Sequence, residues 1–141
     1  MKIAIIGSRE MSEYGKRMVG WIISNIKDRK VSLLSIKVRG CNEEIERVAK
    51  REGVEIEMLK GNNFEELNYR LAKEAEVLII IEGGEKSGTM LVARNFVEEN
   101  KEVWVIPGRA GDKNSYVPNF LLKNGAGMLS LKEDFDLIFD K

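Results

Sequence analysis

The apolar positions of the chain alternate between two spacings, one typical of buried strands and one typical of amphipathic helices. Residues such as Met18, Ile22 and Ile26 recur at helical spacing, whereas continuous apolar runs predict buried strands. The predicted strands are Lys2–Gly7, Val31–Ile36, Val54–Leu59, Val77–Glu82 and Val103–Gly108. The predicted helices cover about Ser12–Lys27, Asn42–Arg51, a segment that opens at Asn63, Gly88–Asn100 and Lys132–Phe139.

Polar residues at the expected helix starts support this order. Asn42 is a candidate cap, and two capping-box patterns pair Asn63 with Glu66 and Ser130 with Glu133. The one long polar stretch, Arg109–Ser115, predicts a surface loop.

Strands that alternate with helices predict a parallel sheet with right-handed crossovers. The run Val77–Glu82 is the most apolar of the chain, which favours a central strand covered on both faces. We therefore predict an α/β fold, Rossmann-like and doubly wound, with a mostly parallel sheet, helices on both faces and one domain over residues 1–141.

Composition sets limits on function. The chain has 141 residues, of which 43% are apolar and 33% charged, as expected for a globular domain. Lys plus Arg and Asp plus Glu each number 23, so any nucleic-acid binding has to come from a local basic patch. No apolar run approaches the roughly 20 residues that span a bilayer, and the first apolar run is too short for a signal peptide. We expect a cytoplasmic protein without membrane association.

The chain contains one cysteine, Cys41, and no histidine. A zinc site and histidine-based catalysis are therefore disfavoured, and we predict no catalytic residue, no metal and no cofactor. There is no glutamine, and Lys and Glu are abundant, a pattern that fits a thermophilic source.

Two glycine-rich loops are the candidate ligand-binding segments. "GSREMSEYG" (Gly7–Gly15) follows the first strand, and "IEGGEKSGTMLVAR" (Ile81–Arg94) contains the end of the most apolar strand. Each leads into a helix N-terminus, which attracts anions, and open parallel sheets bind ligands beyond the carboxyl ends of their strands. The alternative is that both are only tight turns. The groups suited to an anion are the backbone of Gly83, Gly84 and Gly88, the hydroxyls of Ser87 and Thr89, and the charges of Arg9 and Lys86.

The motifs resemble the DNA-processing protein A family (DprA, also called Smf). "GSREMSEYG" resembles its G-S-R-x-x-S-x-Y-G motif, "EGGEKSGTMLVAR" its E-x-x-x-x-S-G-[ST] segment, and "VWVIPG" with "NFLLKNGAGMLSLKEDF" its C-terminal motifs. The resemblance covers nearly the whole chain. It implies a Rossmann domain of the wider SLOG superfamily that binds single-stranded DNA, helps to load a RecA-type recombinase and usually forms a homodimer. By motif, the implied phosphate, DNA or nucleotide contacts are Gly7, Ser8, Arg9, Ser12, Tyr14, Asn68, Lys86, Ser87, Gly88 and Thr89, which join Gly83 and Gly84 of the glycine-rich loop.

The chain also departs from the family pattern. The family usually carries S-G-G-A-x-G-I-D after its second strand, and here "SIKVRGCNEE" keeps only Gly40. Lys37 and Arg39 are expected to replace that loop in part, within a basic rim of Lys37, Arg39, Arg109 and Lys113. Tyr14 and Tyr116 are candidates for base stacking, although Tyr14 also leads the apolar stripe of its helix. The flanking domains of many members are missing, so a minimal stand-alone domain is expected.

Other ligands stay open. Similar Rossmann domains include molybdenum-cofactor carriers and phosphoribohydrolases, so the chain is alternatively a non-catalytic binder of a small nucleotide or phosphate-containing cofactor. Phosphoribohydrolase activity is disfavoured because Val92 stands where those enzymes have a glutamate. Glu82 is the remaining nearby acid, and we expect its carboxylate to order the turn. A third alternative is a partner-binding domain whose pocket has decayed.

Overall fold

A six-stranded parallel sheet organises the chain in the computed structural model, which describes residues 1–140. Lys141, the last residue of the predicted domain, lies outside the described residues. The strands are β1 (Lys2–Ile6), β2 (Ser32–Ile36), β3 (Ile56–Leu59), β4 (Val77–Ile80), β5 (Glu102–Val105) and β6 (Gly127–Met128). The helices are α1 (Glu13–Ile26), α2 (Cys41–Arg51), α3 (Phe64–Glu74), α4 (Thr89–Glu98), α5 (Tyr116–Lys123) and α6 (Asp134–Phe139), with a 3-10 turn at Lys113–Ser115.

The strand order is β3-β2-β1-β4-β5-β6, and every described pair is parallel. The chain winds outward from β1 in one direction and then returns to place β4 on the other side of β1. The order therefore reverses between β1 and β4, which pair from Ile3 with Val77 to Ile6 with Ile80. The predicted doubly wound, Rossmann-like fold is confirmed, and this reversal is where such sheets bind ligands.

Each face of the sheet carries its own apolar core. Alternate residues of β1 point to opposite faces, so Ile3 and Ile5 pack with α1, α2 and α6, while Ala4 and Ile6 pack with α3, α4 and α5. All four residues of β4 are buried, as expected for a strand covered on both faces. Among residues 1–140, no helix is long and apolar enough to cross a bilayer.

Two elements were not predicted. The stretch after the 3-10 turn forms α5, which is short and begins beside Pro118, so its apolar spacing is confined to Val117, Leu121 and Leu122. The two-residue strand β6 is too short to give a periodic pattern. The polar segment Arg109–Ser115 is a loop as predicted, except that its last three residues form the 3-10 turn.

Two predicted helix caps are wrong. Gly40, not Asn42, precedes α2, and the buried Asn42 side chain accepts a hydrogen bond from the Gly7 amide and donates one to the Ile36 carbonyl. At α6 the N-cap is Glu133, and the Ser130 amide donates to the Asp134 carboxylate. Asn42 therefore bonds to distant backbone groups instead of capping α2, and at α6 the Asp134 carboxylate accepts the local hydrogen bonds in place of Ser130.

Candidate functional site

A cavity of about 720 Å³ lies beyond the carboxyl ends of the central strands. Ile6 at the end of β1 and Ile36 at the end of β2 form part of its floor, and the loop between β4 and α4 forms one wall. The cavity is therefore at the reversal of strand order, as the topology predicts. The predicted contact residues that line it are Gly7, Ser8, Arg9, Gly84, Lys86, Ser87, Gly88 and Thr89, joined by Arg39 and Lys113 of the predicted rim.

Positive charge predominates in the lining. Its four cations are Arg9, Arg39, Lys86 and Lys113, against two carboxylates, Glu10 and Glu85. Arg9, Arg39 and Lys86 are exposed, and their side chains form no hydrogen bond or salt bridge within residues 1–140. These three cations are therefore available to an anionic ligand.

Lys113 differs from the other three cations because Glu10 holds it. Its ammonium donates to the Glu10 carboxylate at 2.5 Å, and this hydrogen bond, followed by the charge of Lys113, lowers the pKa of Glu10. The Asn114 side chain donates to the Glu10 carbonyl at 2.7 Å. The loop after β1 and the 3-10 turn are thus joined at the rim of the cavity.

The cavity wall also offers backbone donors. The amides of Ser8, Arg9 and Gly88 form no hydrogen bond within residues 1–140, and all three residues line the cavity. The Ser87 hydroxyl accepts from the Thr89 amide at 3.2 Å and therefore shapes the turn that begins α4. Unpaired amides beside exposed cations make a binding surface for phosphate or another anion.

The loop after β2 docks on the loop after β1 through one glycine. Gly40 has φ of 84°, and a side chain there would overlap the carbonyl oxygens of Ser8 and Arg9. The Cys41 amide, directly after it, donates to the Ser8 carbonyl at 2.9 Å. Only glycine allows this conformation together with so close an approach of two backbones.

A buried carboxylate ties the loops together behind the cavity. Glu82 is 3% exposed and accepts from the Ser12 amide at 2.8 Å, from the Ser12 hydroxyl at 2.6 Å and from the Cys41 thiol at 3.4 Å. Burial, and then the neighbouring charge of Glu82, raise the pKa of Cys41. Gly15 packs so closely on Glu82 that a methyl group at that position would overlap the carboxylate. Glu82 is thus a hydrogen-bond acceptor as expected, but the groups that it orders belong to the start of α1 and the start of α2 and not to its own turn.

Several predicted contacts lie outside the cavity lining. Ser12 caps α1 and binds Glu82, and Gly83 exchanges backbone hydrogen bonds with Asn114 and Val117. The Tyr14 hydroxyl donates to the Pro107 carbonyl at 2.7 Å, so its ring is directed to a second, 420 Å³ cavity instead.

The other three predicted contacts outside the cavity lining are Asn68, Lys37 and Arg109. Asn68 is buried in α3, and its Oδ1 has no hydrogen-bond partner among the described residues. In the predicted rim, Lys37 pairs with Glu46 at 2.6 Å and Arg109 pairs with Asp112 at 3.1 Å.

Phe64 lines the cavity and was not among the predicted contacts. It is the first residue of α3, which Asn63 caps as predicted, and its ring tip would lie 2.8 Å from a Cβ placed on Gly88. A side chain at position 88 would therefore displace this ring. Val92, where phosphoribohydrolases have a glutamate, is buried and contributes an apolar part of the wall.

The sequence profile of the family described as DNA recombination-mediator protein A matches residues 52–138. The chain belongs to this family. Protein Smf of Escherichia coli (strain K12) is 24% identical to it over 94% of the chain and 46% of its own length. DNA processing protein DprA of Bacillus subtilis (strain 168) is 26% identical over 94% of the chain and 57% of its own length. The chain thus spans about half the length of these curated relatives.

Solved structures share the fold. DNA processing protein A from Streptococcus pneumoniae aligns over 98% of this chain and 61% of its own, with a TM-score of 0.87 and 19% identity. The Helicobacter pylori protein, described by its single-stranded DNA binding mode, aligns over 99% and 81%, with a TM-score of 0.78 and 19% identity. The molybdenum cofactor carrier protein of Chlamydomonas reinhardtii aligns over 93% and 91%, with a TM-score of 0.70 and 14% identity.

Proposed function

We propose that this member of the family binds the sugar-phosphate backbone of single-stranded DNA in the cavity between the β1 and β4 loops. The observation that carries the proposal is the combination of three unpaired, exposed cations, Arg9, Arg39 and Lys86, with unpaired amides at Ser8 and Gly88 in one cavity. Cations that contact the sugar-phosphate backbone supply most of the affinity when a protein binds single-stranded DNA without sequence preference.

The cavity lining suits single-stranded DNA because it also contains an aromatic side chain. Phe64 is partly exposed beside Gly88, so its ring is accessible to a base while the phosphate contacts Lys86 or Arg9. Stacking of a base on an aromatic ring is worth about 1–3 kcal/mol and tolerates any sequence. The Helicobacter pylori relative, whose description names single-stranded DNA binding, supports the same ligand class.

The test is fluorescence anisotropy of a labelled thymidine oligonucleotide over a range of salt concentrations. With three or four phosphate contacts, log K should fall with log salt at a slope of about −2 to −3. Arg9→Ala and Lys86→Ala should each weaken binding and reduce that slope. Lys30→Ala is the matched control, because this exposed lysine precedes β2 at the opposite end of the sheet. A flat salt dependence, or an equal loss with Lys30→Ala, would refute the proposal.

A small nucleotide or phosphate-containing cofactor is the second candidate. The cavity volume of about 720 Å³ falls within the roughly 300–1,000 Å³ range of small-molecule pockets, and the molybdenum cofactor carrier shares the fold. AMP and GMP added as competitors separate the two ligands. If either nucleotide binds tightly while the oligonucleotide fails to bind at low salt, the small-ligand function replaces the DNA function.

We further propose that the protein assists loading of a RecA-type recombinase and acts as a homodimer. Exposed apolar side chains near the end of the chain support a self-association surface, since Met128 is 48%, Leu131 61% and Leu137 60% exposed. Light scattering at high protein concentration tests the dimer, and Leu137→Glu should reduce the measured mass. Nucleation of recombinase filaments on protein-coated single strands tests the loading activity.

A further inference from the structure

Two aromatic rings are exposed side by side on α5. Tyr116 is 43% and Phe120 44% exposed, and their ring centroids are 6.2 Å apart with planes inclined by 13°. The helix turns other residues inward: Val117 is buried in the core, and Leu121 and Leu122 pack against it. The two rings are therefore not needed to complete the core on this side of the sheet.

The start of α5 is attached directly to the cavity. Lys113 and Asn114, just before the helix, line the cavity. The Gly83 amide donates to the Asn114 carbonyl at 2.9 Å, and the Val117 amide donates to the Gly83 carbonyl at 3.0 Å. Tyr116 lies between these two anchored residues. Phe120 lies one helical turn farther along, a rise of about 6 Å.

The segment that carries the rings is basic. Between residues 107 and 125 the cations are Arg109, Lys113 and Lys123, and Asp112 is the one acid. Arg109 holds that acid at 3.1 Å and Lys113 is paired with Glu10, so Lys123 is the cation of this segment that forms no salt bridge within residues 1–140. An anionic polymer that leaves the cavity past Lys113 therefore meets aromatic rings and positive charge together.

We propose that Tyr116 and Phe120 form a base-stacking platform for the part of a single-stranded DNA that extends beyond the cavity. The inference rests on the proposed function and extends it from one cavity to a path along α5. Exposed rings next to backbone-binding cations are the arrangement by which proteins hold single strands without sequence preference. The excess of cations over acids favours a nucleic acid over a protein partner for these rings.

The experiment compares three labelled ligands by anisotropy. The first is an oligonucleotide of about four thymidines, the second about twelve thymidines, and the third the short one extended by abasic sugar-phosphate units to the longer length. Phe120→Ala and Tyr116→Ala should each weaken binding of the long oligonucleotide by about tenfold and leave the other two ligands unchanged. Val97→Ala is the matched control, because Val97 is a similarly exposed apolar residue in the last turn of α4 and does not line the cavity.

A conservative variant adds a direct readout. Phe120→Trp should restore binding of the long thymidine oligonucleotide, and its indole fluorescence should be quenched by that ligand and not by the abasic one. A structural role for the ring would not depend on whether the extension carries bases.

The outcomes are distinct. Unchanged binding of the long oligonucleotide by both alanine variants overturns the platform and leaves the proposed function standing. Equal losses on all three ligands assign the rings a structural role and also overturn it. A lower mass of Phe120→Ala in light scattering, with DNA affinity unchanged, assigns the rings to a protein interface. Failure of the unsubstituted protein to bind any of the three ligands refutes the proposed function itself, and the platform with it.

Discussion

Replacing Ser12 by alanine is the most direct test of the buried network that joins the loops. The Ser12 hydroxyl accepts a hydrogen bond from the Gly15 amide at 3.0 Å and donates one to the Glu82 carboxylate at 2.6 Å. Loss of a helix N-cap costs about 1 kcal/mol, and loss of a hydrogen bond to a charged group costs about 1.5–3 kcal/mol. Ser12→Ala should therefore lower the free energy of unfolding by about 2.5–4 kcal/mol, while the Ser12 amide still donates to Glu82.

Urea unfolding followed by circular dichroism measures this change, and the melting temperature should fall by roughly 8–15 °C for a domain of this size. Ser24→Ala is the matched control in the same helix, because the exposed Ser24 hydroxyl only donates to the Trp21 carbonyl, and it should cost at most about 0.5 kcal/mol. Ser12→Thr keeps the hydroxyl and should recover most of the loss. A cost below about 1 kcal/mol for Ser12→Ala, or equal costs for alanine and threonine, would refute the role given to the network.

Four further measurements test the loops around the cavity. Gly40→Ala should lower the free energy of unfolding, measured in urea, by at least about 2 kcal/mol, because the positive φ and the overlap with backbone act together. Gly53→Ala is the control and should cost only about 1 kcal/mol, because Gly53 has φ of 76° but open space around it. Equal costs would contradict the docking of the loop after β2 on the loop after β1. Glu10→Gln should release Lys113 to the ligand and raise the affinity for the oligonucleotide a few-fold. The slope of log K against log salt should steepen by about 0.7, and an unchanged slope would count against Lys113 as a phosphate contact. Cys41 should resist Ellman's reagent at pH 8 until the protein unfolds, because the thiol is buried and its pKa is raised. Rapid labelling of the folded protein would show that the contact between Cys41 and Glu82 opens. Unfolding should also become easier above pH of about 8.5, since the thiol ionises near that value only in the unfolded chain.

The fold could be predicted from sequence because its central strands carry an unmistakable signal. β4 and the part of β1 after Lys2 are uninterrupted apolar runs, and the helices between strands repeat apolar residues at the spacing that buries one face. The elements that were missed, α5 and β6, are short and lie at the sheet margin, where few residues are available to show a period. Asn42 shows the limit of local patterns, because its side chain bonds to Gly7, 35 residues away.

The place of the cavity could also be predicted, but not every side chain in it. Parallel topology brings the loops after β1 and β4 together, so Arg9 and Lys86 line one cavity even though 76 positions separate them. Ser12 and Tyr14 belong to the same motif as Arg9, yet Ser12 caps α1 and Tyr14 lies in its first turn, so their side chains bind Glu82 and Pro107 instead. A motif gives the spacing of residues along the chain, whereas the direction of each side chain depends on where the helix starts.

The reduced loop after β2 shows which part of the glycine-rich family motif the cavity requires. Gly40 alone provides the positive φ and the close approach to Ser8 and Arg9, and the Cys41 amide completes the contact. The remaining glycines of that motif are therefore not needed to dock this loop on the first one. Arg39, next to Gly40, is exposed in the lining and unpaired, so the loop contributes a charge where the family pattern contributes flexible backbone. Because a guanidinium can hold phosphate through its charge and two parallel hydrogen bonds, we expect Arg39 to replace part of the anion binding that the resemblance implies for the glycine-rich loop.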